Sequence, residues 1–375
     1  MNETSHIHSH NTLTDLKAMD RDQLGRFCEE LGLQSYRADQ LFQWLYQKGA
    51  SDFSEMTNLS KELRAQLSEI AQVSRIRINK QVTSKDGTIK FLFDLDDEGD
   101  NKIEAVLIPD FDAEETPKRL TVCVSSQVGC MFGCSFCATG KMGFFRNLTA
   151  GEIVDQVHII NQISENRYGK GITNIVYMGM GEPLHNYRAV TASVSILTDE
   201  LGLGLSPKRI TVSTVGLTKQ IRQIADEMQS FRLAISLHAA TDEKRNRIMP
   251  INESLNLEKL EDAVRHYFEQ TMQPITYEYL LFDNFNDSAA DARNLATIAQ
   301  WVPSKVNIIM YNPVQGVSYN RAKEDRLNRF MKNLVDRGVT ATVRRSRGDD
   351  IDAGCGQLAI REGSERGKSL RKDWE

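Results

Sequence analysis

Three cysteines set the chemistry open to this chain. Cys130-Met-Phe-Gly-Cys134-Ser-Phe-Cys137 spaces them as C-x3-C-x2-C, with Phe136 just before the last. Three thiolates on one tight loop can hold three irons of a [4Fe–4S] cluster, whereas electron-transfer clusters take four cysteines. No fourth cysteine follows nearby. One iron is then left open, and an open position on a metal is a place for chemistry. The competing readings are a zinc site short of a ligand, or three buried thiols. A zinc knot offers its ligands in two pairs, and no second pair accompanies this loop.

Two further cysteines stand apart. Cys355 lies between glycines in Arg347-Gly-Asp-Asp350-Ile-Asp352-Ala-Gly354-Cys355-Gly356-Gln357-Leu358. Structural cysteines sit among apolar neighbours on a regular element. This one does not, and its glycines predict a mobile loop of close approach. Cys123 lies on an apparent strand leading to the three-cysteine loop, where a packing role is an equal reading. Glu104 is the one acid in the apolar run Ile103–Ile108. Alternation gives it a solvent-facing slot; beside a buried site it would serve as a base.

Polar residues recur where apolar runs end. Ile175–Met178 is followed by Gly179-Met-Gly181-Glu182-Pro183, a turn whose glycines admit a ligand to the backbone. Ser213, Ser236-Leu237-His238 and Asn312 end later runs. Each alone reads as a cap; together they read as a ligand ring.

The elements that must position these residues follow from periodicity. The first 14 residues, with alternating His6, His8 and His10, read as a solvated tail. Residues 15–73 carry three helical stripes: Leu24, Phe27, Cys28 and Leu31; Ala38, Leu41, Phe42 and Leu45; Leu59, Leu63, Leu67 and Ile70. They predict an all-helical domain. Residues 74–118 change to period two, with a hairpin turn at Asp86-Gly87, and predict a small β extension. From residue 119 to 346, strands and helices alternate, with about seven strands by this pattern. That order means parallel pairing and a complete or partial (β/α) barrel, with its chemistry at the C-terminal strand ends. Residues 347–375 would carry the Cys355 loop and a basic tail.

The chain has 375 residues, 40% hydrophobic and 26% charged, the composition of an ordinary globular protein. No apolar run reaches bilayer length, and no secretory signal is apparent. Six cysteines in such a length are no disulfide scaffold, so a reducing, cytoplasmic location is expected. The net charge of −5 hides local basic clusters. Lys17, Arg21, Arg26, Arg37, Lys48, Lys61 and Arg64 could face phosphates or simply solvent. Lys141 and Arg146 follow the cysteine loop, Arg344, Arg345 and Arg347 precede Cys355, and Arg366, Lys368, Arg371 and Lys372 enrich the tail.

The cysteine spacing, with its aromatic, resembles the radical S-adenosylmethionine (SAM) superfamily. Further motifs resemble the RlmN-type adenine-C2 RNA methyltransferases of that superfamily. They are Tyr36-Arg-Ala-Asp39-Gln, Cys123-Val-Ser-Ser-Gln-Val-Gly-Cys130, Met178-Gly-Met-Gly-Glu-Pro183, Ile235-Ser-Leu-His238, Met249-Pro-Ile-Asn252 and Arg347-Gly-Asp-Asp-Ile-Asp352. The likeness runs from about residue 20 to 360, and Gly354 departs from it, since the family more often has alanine. That departure is expected to loosen the loop. A sister family methylates carbon 8 of the same adenine; Pro183 and Arg347–Asp350 favour carbon 2.

The resemblance implies a partial barrel and a [4Fe–4S] cluster on Cys130, Cys134 and Cys137. It implies two SAM molecules per turnover and SAM contacts from Gly181, Glu182, Ser213, Ser236, Leu237, His238 and Asn312. The implied substrates are adenine 2503 of 23S rRNA and adenine 37 of tRNAs. Cys355 would carry the methyl group, Cys123 would resolve a protein–RNA adduct through a transient disulfide bond, and Glu104 would accept a proton. A flavodoxin-like electron donor and a monomeric, cytoplasmic enzyme are expected. A radical-SAM activase of glycyl-radical proteins would need the cluster but neither Cys123 nor Cys355.

Overall fold

The computed structural model describes residues 13–96 and 99–360. One ten-stranded sheet organises it. Seven strands run parallel: β6 Pro117–Val124, β9 Asn174–Tyr177, β10 Ile210–Thr214, β11 Arg232–Ser236, β12 Ile275–Leu281, β13 Ser304–Met310 and β14 Ala341–Arg344. The crossover helices are α5 Ala150–Tyr168, α6 Tyr187–Thr198, α7 Thr218–Asp226, α8 Asp242–Ile248, α9 Leu257–Thr271, α10 Ala289–Ala299 and α11 Glu324–Val335. Parallel strands covered on both faces become continuous apolar runs, and all seven residues of β12 are buried. Helix starts follow the sequence. Thr149 and Glu152 close a capping box on α5, and Gly169 ends that helix in the left-handed region at φ 64°.

The expected β extension is not a separate layer. β3 Arg77–Thr83, β4 Ile89–Asp94 and β5 Lys102–Phe111 pair antiparallel and continue the barrel sheet through β6. The sheet is therefore a partial barrel whose outer strands, β14 and β3, do not pair with each other.

The segment before Cys355 spans that gap. Gly348 N–H donates to Asp86 Oδ2 at 2.9 Å, Ser84 Oγ donates to Asp350, and Lys85 N–H donates to the other Asp350 oxygen at 3.2 Å. Lys90 Nζ donates to the Asp352 carbonyl at 3.3 Å. The β3–β4 turn is thus a clasp for the Arg347–Asp352 segment, and the acids of that motif aim the Cys355 loop.

The N-terminal part packs on α5. Helices α1 Arg21–Glu30, α2 Tyr36–Phe42 and α3 Lys61–Ile70 match the three stripes, and α2 runs on as a π-helical turn over Gln43–Gln47. It is not wholly helical: Thr14 and Asp15 (β1) pair with Ala71 and Gln72 (β2). Thr14 therefore belongs to the fold, while residues 1–12 of the expected tail, and the basic tail with Arg366, Lys368, Arg371 and Lys372, lie outside the described residues. Lys17 is not a phosphate-facing residue. It is 4% exposed and ion-paired with Asp155 of α5. Arg21 is drawn to Asp39 at 2.7 Å, and Arg64 donates to the Ser54 carbonyl at 2.6 Å.

Candidate active site

The cysteine loop leaves the sheet at the C-terminal end of β6, through the short strand β7 Gln127–Gly129. Gly129 has φ 73°, and a Cβ there would stand 1.9 Å from the Gly143 carbonyl. Only glycine lets that carbonyl accept from Cys130 N–H at 2.8 Å. The loop then turns, with Cys137 N–H donating to the Cys134 carbonyl at 3.0 Å, into the short helix α4 Ala138–Lys141.

The three thiols line one cavity. Burial pushes Cys130 up to about 12 and raises Cys134 and Cys137 as well. Buried thiols in this state become ligands only when a metal replaces their protons. Among the described residues, no three His, Cys, Asp or Glu side chains converge closely enough for a single ion. A cluster asks for wider spacing, since each thiolate takes a different iron, so the donor set fits a cluster held by three sulfurs. Phe136 packs edge-on against His238 at 5.0 Å and 5.8 Å from Phe282, which fixes the third cysteine's neighbour in the core.

The strand-end residues meet on the same cavity: Gly181, Glu182, Ser213, Ser236 and His238 all line it. Gly181 has φ 94°, and any Cβ would strike Gln127 at 2.5 Å. Gln127 Oε1 accepts from Glu182 N–H at 2.8 Å, which turns the Glu182 side chain inward. There its oxygens accept from Val215 N–H at 2.9 Å and Leu184 N–H at 3.1 Å. Burial still prevails and raises its pKa to about 7. Ser213 and Ser236 hydroxyls lie 3.1 Å apart. His238, in the left-handed region at φ 56°, accepts Leu280 N–H at Nδ1, 3.1 Å away. That leaves its proton on Nε2, and burial lowers its pKa to about 3, so the ring is neutral.

Two expected members stand elsewhere. Leu237 lines neither this cavity nor its neighbour. Its side chain joins the main apolar core just past the end of β11. Asn312 lines the adjoining cavity and accepts from Ser346 Oγ at 2.6 Å.

That adjoining cavity holds Cys123, Arg344 and Cys355. Cys355 also lines the cavity of the three cysteines, so it stands between them and Cys123. Its loop is tied down rather than loose. Gly356 carbonyl accepts from Ala138 N–H at 2.7 Å, Gln357 Nε2 donates to the Pro313 carbonyl at 3.1 Å, and Gly354 N–H donates to Gln357 Oε1 at 3.0 Å. A Cβ at Gly354 would lie 1.9 Å from Asn312 Nδ2, so glycine here tightens the packing instead of loosening it. All six cysteines are free thiols.

Glu104 is buried, not solvent-facing. Ala359 N–H donates to Oε2 at 3.0 Å, and Lys90 Nζ lies 3.2 Å from Oε1. It therefore touches the segment just after Cys355, with the Lys90 cation beside it, a partner supplied by the neighbouring strand β4. Arg245 is not visible from the sequence. It lies in a charged run that reads as surface, yet it is 1% exposed. It donates to the carbonyls of Leu237 at 3.2 Å and Val215 at 2.6 Å, and to Asn252 Oδ1 at 2.6 Å. It thereby pins the ends of β10 and β11 under the cavity.

Comparison with known proteins agrees with this architecture. Residues 14–73 match the family described as ribosomal RNA large subunit methyltransferase N-terminal domain, and residues 124–296 match the radical SAM superfamily. A probable dual-specificity RNA methyltransferase RlmN of Salinibacter ruber is 54% identical over 92% of this chain and 94% of its own. The dual-specificity RNA methyltransferase RlmN of Halorhodospira halophila is 44% identical over 92% and 93%. The crystal structure of a radical SAM methyltransferase from Sphaerobacter thermophilus superposes with a TM-score of 0.84 at 43% identity, covering 92% of this chain and 99% of that one. Membership of the radical SAM superfamily implies a [4Fe–4S] cluster and SAM. With both matched regions in place and relatives this similar along nearly the whole length, the chain belongs to the RlmN family of radical SAM RNA methyltransferases.

Proposed function

We propose that this enzyme methylates carbon 2 of adenine, at adenine 2503 of 23S rRNA and adenine 37 of tRNAs, through a methylated Cys355. The observation that carries the reading is the position of Cys355, which lines both the three-cysteine cavity and the cavity of Cys123. Carbon 2 of adenine has no lone pair with which to attack a methyl sulfonium. A side chain must therefore receive the methyl group first and present it in another form.

Cys355 is that side chain. Its thiol loses its proton and the sulfur attacks the methyl carbon of one SAM molecule; the carbon–sulfonium bond breaks, giving S-methyl-Cys355 and S-adenosylhomocysteine as the leaving group. Burial pushes Cys123 up to about 12, so it rests as a neutral thiol and does not compete. Cys130, Cys134 and Cys137 would hold the cluster, which when bound would supply the one-electron chemistry that cleaves a second SAM molecule and removes a hydrogen atom from the methyl group on Cys355.

Cys355 then holds the reactive carbon against adenine, and the new bond links protein to RNA. Glu104, reached by the Ala359 backbone, accepts the proton lost from carbon 2. Cys123 gives up its thiol proton and attacks the Cys355 sulfur. The sulfur–carbon bond breaks, and its electron pair and a proton pass to the methylene carbon, which becomes the methyl group of the freed base. A thiol reductant of the cytoplasm restores the resulting disulfide to the two free thiols. Gly181, Glu182, Ser213, Ser236, His238 and Asn312 hold SAM, with Leu237 contributing through its backbone. Arg344, Arg345 and Arg347 meet RNA phosphates, which position the substrate without reading sequence.

Among the described residues no helix is long and apolar enough to cross a membrane. A monomer in the cytoplasm, reduced by a flavodoxin-like donor, completes the proposal. The test is nucleoside mass spectrometry of an unmodified 23S rRNA fragment and a tRNA after reaction. Both should yield 2-methyladenosine. Co-elution with 8-methyladenosine would move the enzyme to the carbon-8 class, and no RNA product with radical formation on a protein would make it an activase.

A further inference from the structure

Glu278, in the middle of β12, has no part in the chemistry described so far. It is 3% exposed. One oxygen is fixed by a relay along three adjacent strands: Thr342 Oγ1 donates to Asn307 Oδ1 at 2.7 Å, and Asn307 Nδ2 donates to Glu278 Oε1 at 2.9 Å. These residues are register neighbours on β14, β13 and β12. The other oxygen, Oε2, is buried and has no hydrogen-bond partner among the described residues. A buried carboxylate oxygen without a donor costs stability, and such atoms call for a functional account.

Its location supplies one. Glu278 lines the cavity of the three cysteines. It also lines a larger cavity that enters the barrel from the opposite end, where Lys208, Arg209, Arg232 and Lys305 stand at the starts of β10, β11 and β13. No other residue with an orphaned side-chain atom lines either cavity. Burial raises the Glu278 pKa, while Arg344, Asn307 and Lys305 oppose that rise. The basic entrance suits a polyanion, and a base extruded from its chain would reach Glu278 before the reacting groups.

We propose that Glu278 is a specificity-determining residue whose free oxygen accepts a hydrogen bond from the exocyclic amino group of the target adenine. This rests on the adenine reading above. The amino group at position 6 and carbon 2 share the Watson–Crick edge, so anchoring one sets where the other faces. Guanine and hypoxanthine carry a carbonyl at position 6 and would put an acceptor against an acceptor. The relay from Thr342 and Asn307 keeps the carboxylate from turning away, which makes the selection geometric as well as electrostatic.

The experiment is a two-by-two comparison of kcat/KM in reconstituted enzyme. Wild type and Glu278→Ala are each given an RNA with adenine, or with unsubstituted purine, at the target position. Removing the amino group alters the reactivity of carbon 2 in both enzymes, so the difference between their adenine-to-purine ratios isolates the contact. A hydrogen bond to a charged group predicts that the ratio falls roughly 10- to 100-fold in the variant. Glu278→Gln, which keeps the volume, should show a smaller fall and serves if the alanine variant does not fold. Equal ratios in all enzymes overturn the assignment. So does a defect confined to KM for SAM, which would place Glu278 on a cofactor hydroxyl. A wild type that methylates neither RNA would instead overturn the adenine reading itself.

Discussion

Cys123 and Cys355 come from opposite ends of the barrel's chain and line one cavity, together with Arg344. Cys123 is delivered by β6, in register with Val106 of β5 and Val176 of β9. Cys355 is delivered by a loop clasped through Asp350 and Gly348 to the β3–β4 turn. Two free thiols that pack no common apolar layer, yet share a cavity next to three more, have a chemical rather than a packing reason to meet.

The three loop cysteines should carry the cluster. Anaerobic reconstitution should load about four irons per chain. Replacing Cys130, Cys134 or Cys137 by alanine should remove iron and SAM cleavage together. Iron and sulfide assays with detection of 5′-deoxyadenosine check this, and full cleavage in any of the variants contradicts it.

The N-terminal domain should be clipped to the barrel by a buried ion pair. Lys17 and Asp155 are 5% and 6% exposed in their side chains, and Asp155 also accepts from Ile76 N–H at 3.3 Å. Lys17→Met strands a buried carboxylate and should cost about 3–5 kcal/mol of unfolding free energy. Adding Asp155→Leu should recover much of that loss, because the unpaired charge is gone. Denaturant melts measure both, and a double variant as weak as the single would contradict the pairing.

Glu182 should make the metal-free protein less stable as pH rises. Its folded pKa, about 7, exceeds the ordinary 4.5, so the folded state holds its proton more tightly. The resulting stability is full below about 4.5, declines through that interval, and is gone above about 7. His238, lowered from 6.5 to about 3, works in the opposite sense below 6.5, so the two partly cancel in wild type. The Glu182→Gln difference isolates the carboxyl. The variant should match wild type near pH 4.5 and exceed it by about 3 kcal/mol at pH 8. A difference independent of pH contradicts the assignment.

Much of this was legible in sequence because period and punctuation agree with the fold. The three N-terminal stripes become α1, α2 and α3, the Asp86-Gly87 turn joins β3 to β4, and the seven alternating strands pair in parallel. The three-cysteine loop and the glycine–glutamate turn fall on one cavity because strand ends in a parallel barrel share one face. What stayed hidden depends on long-range partners. Nothing local says that Lys17 is buried, that Lys90 reaches Glu104, or that Arg245 lies under the cavity. Leu237, between Ser236 and His238, turns its side chain into the core, which leaves its backbone as the part of it that can meet a ligand. Glu278 stays hidden for the same reason: an acid inside a strand has the look of a solvent-facing position until the barrel closes around it.

The division of labour between Cys355 and Cys123 is tested most directly by Cys123→Ala. The variant should accept a methyl group on Cys355, cleave SAM and attack RNA, and then stall for want of a thiol to attack the Cys355 sulfur and release the RNA-bound carbon. A denaturing gel should show a retarded, ribonuclease-sensitive protein–RNA band, absent from wild type and from Cys355→Ala. If Cys123 merely packs in β6, the substitution costs about 1 kcal/mol of stability and turnover continues. Release of methylated RNA by Cys123→Ala, with no covalent band, would contradict the account.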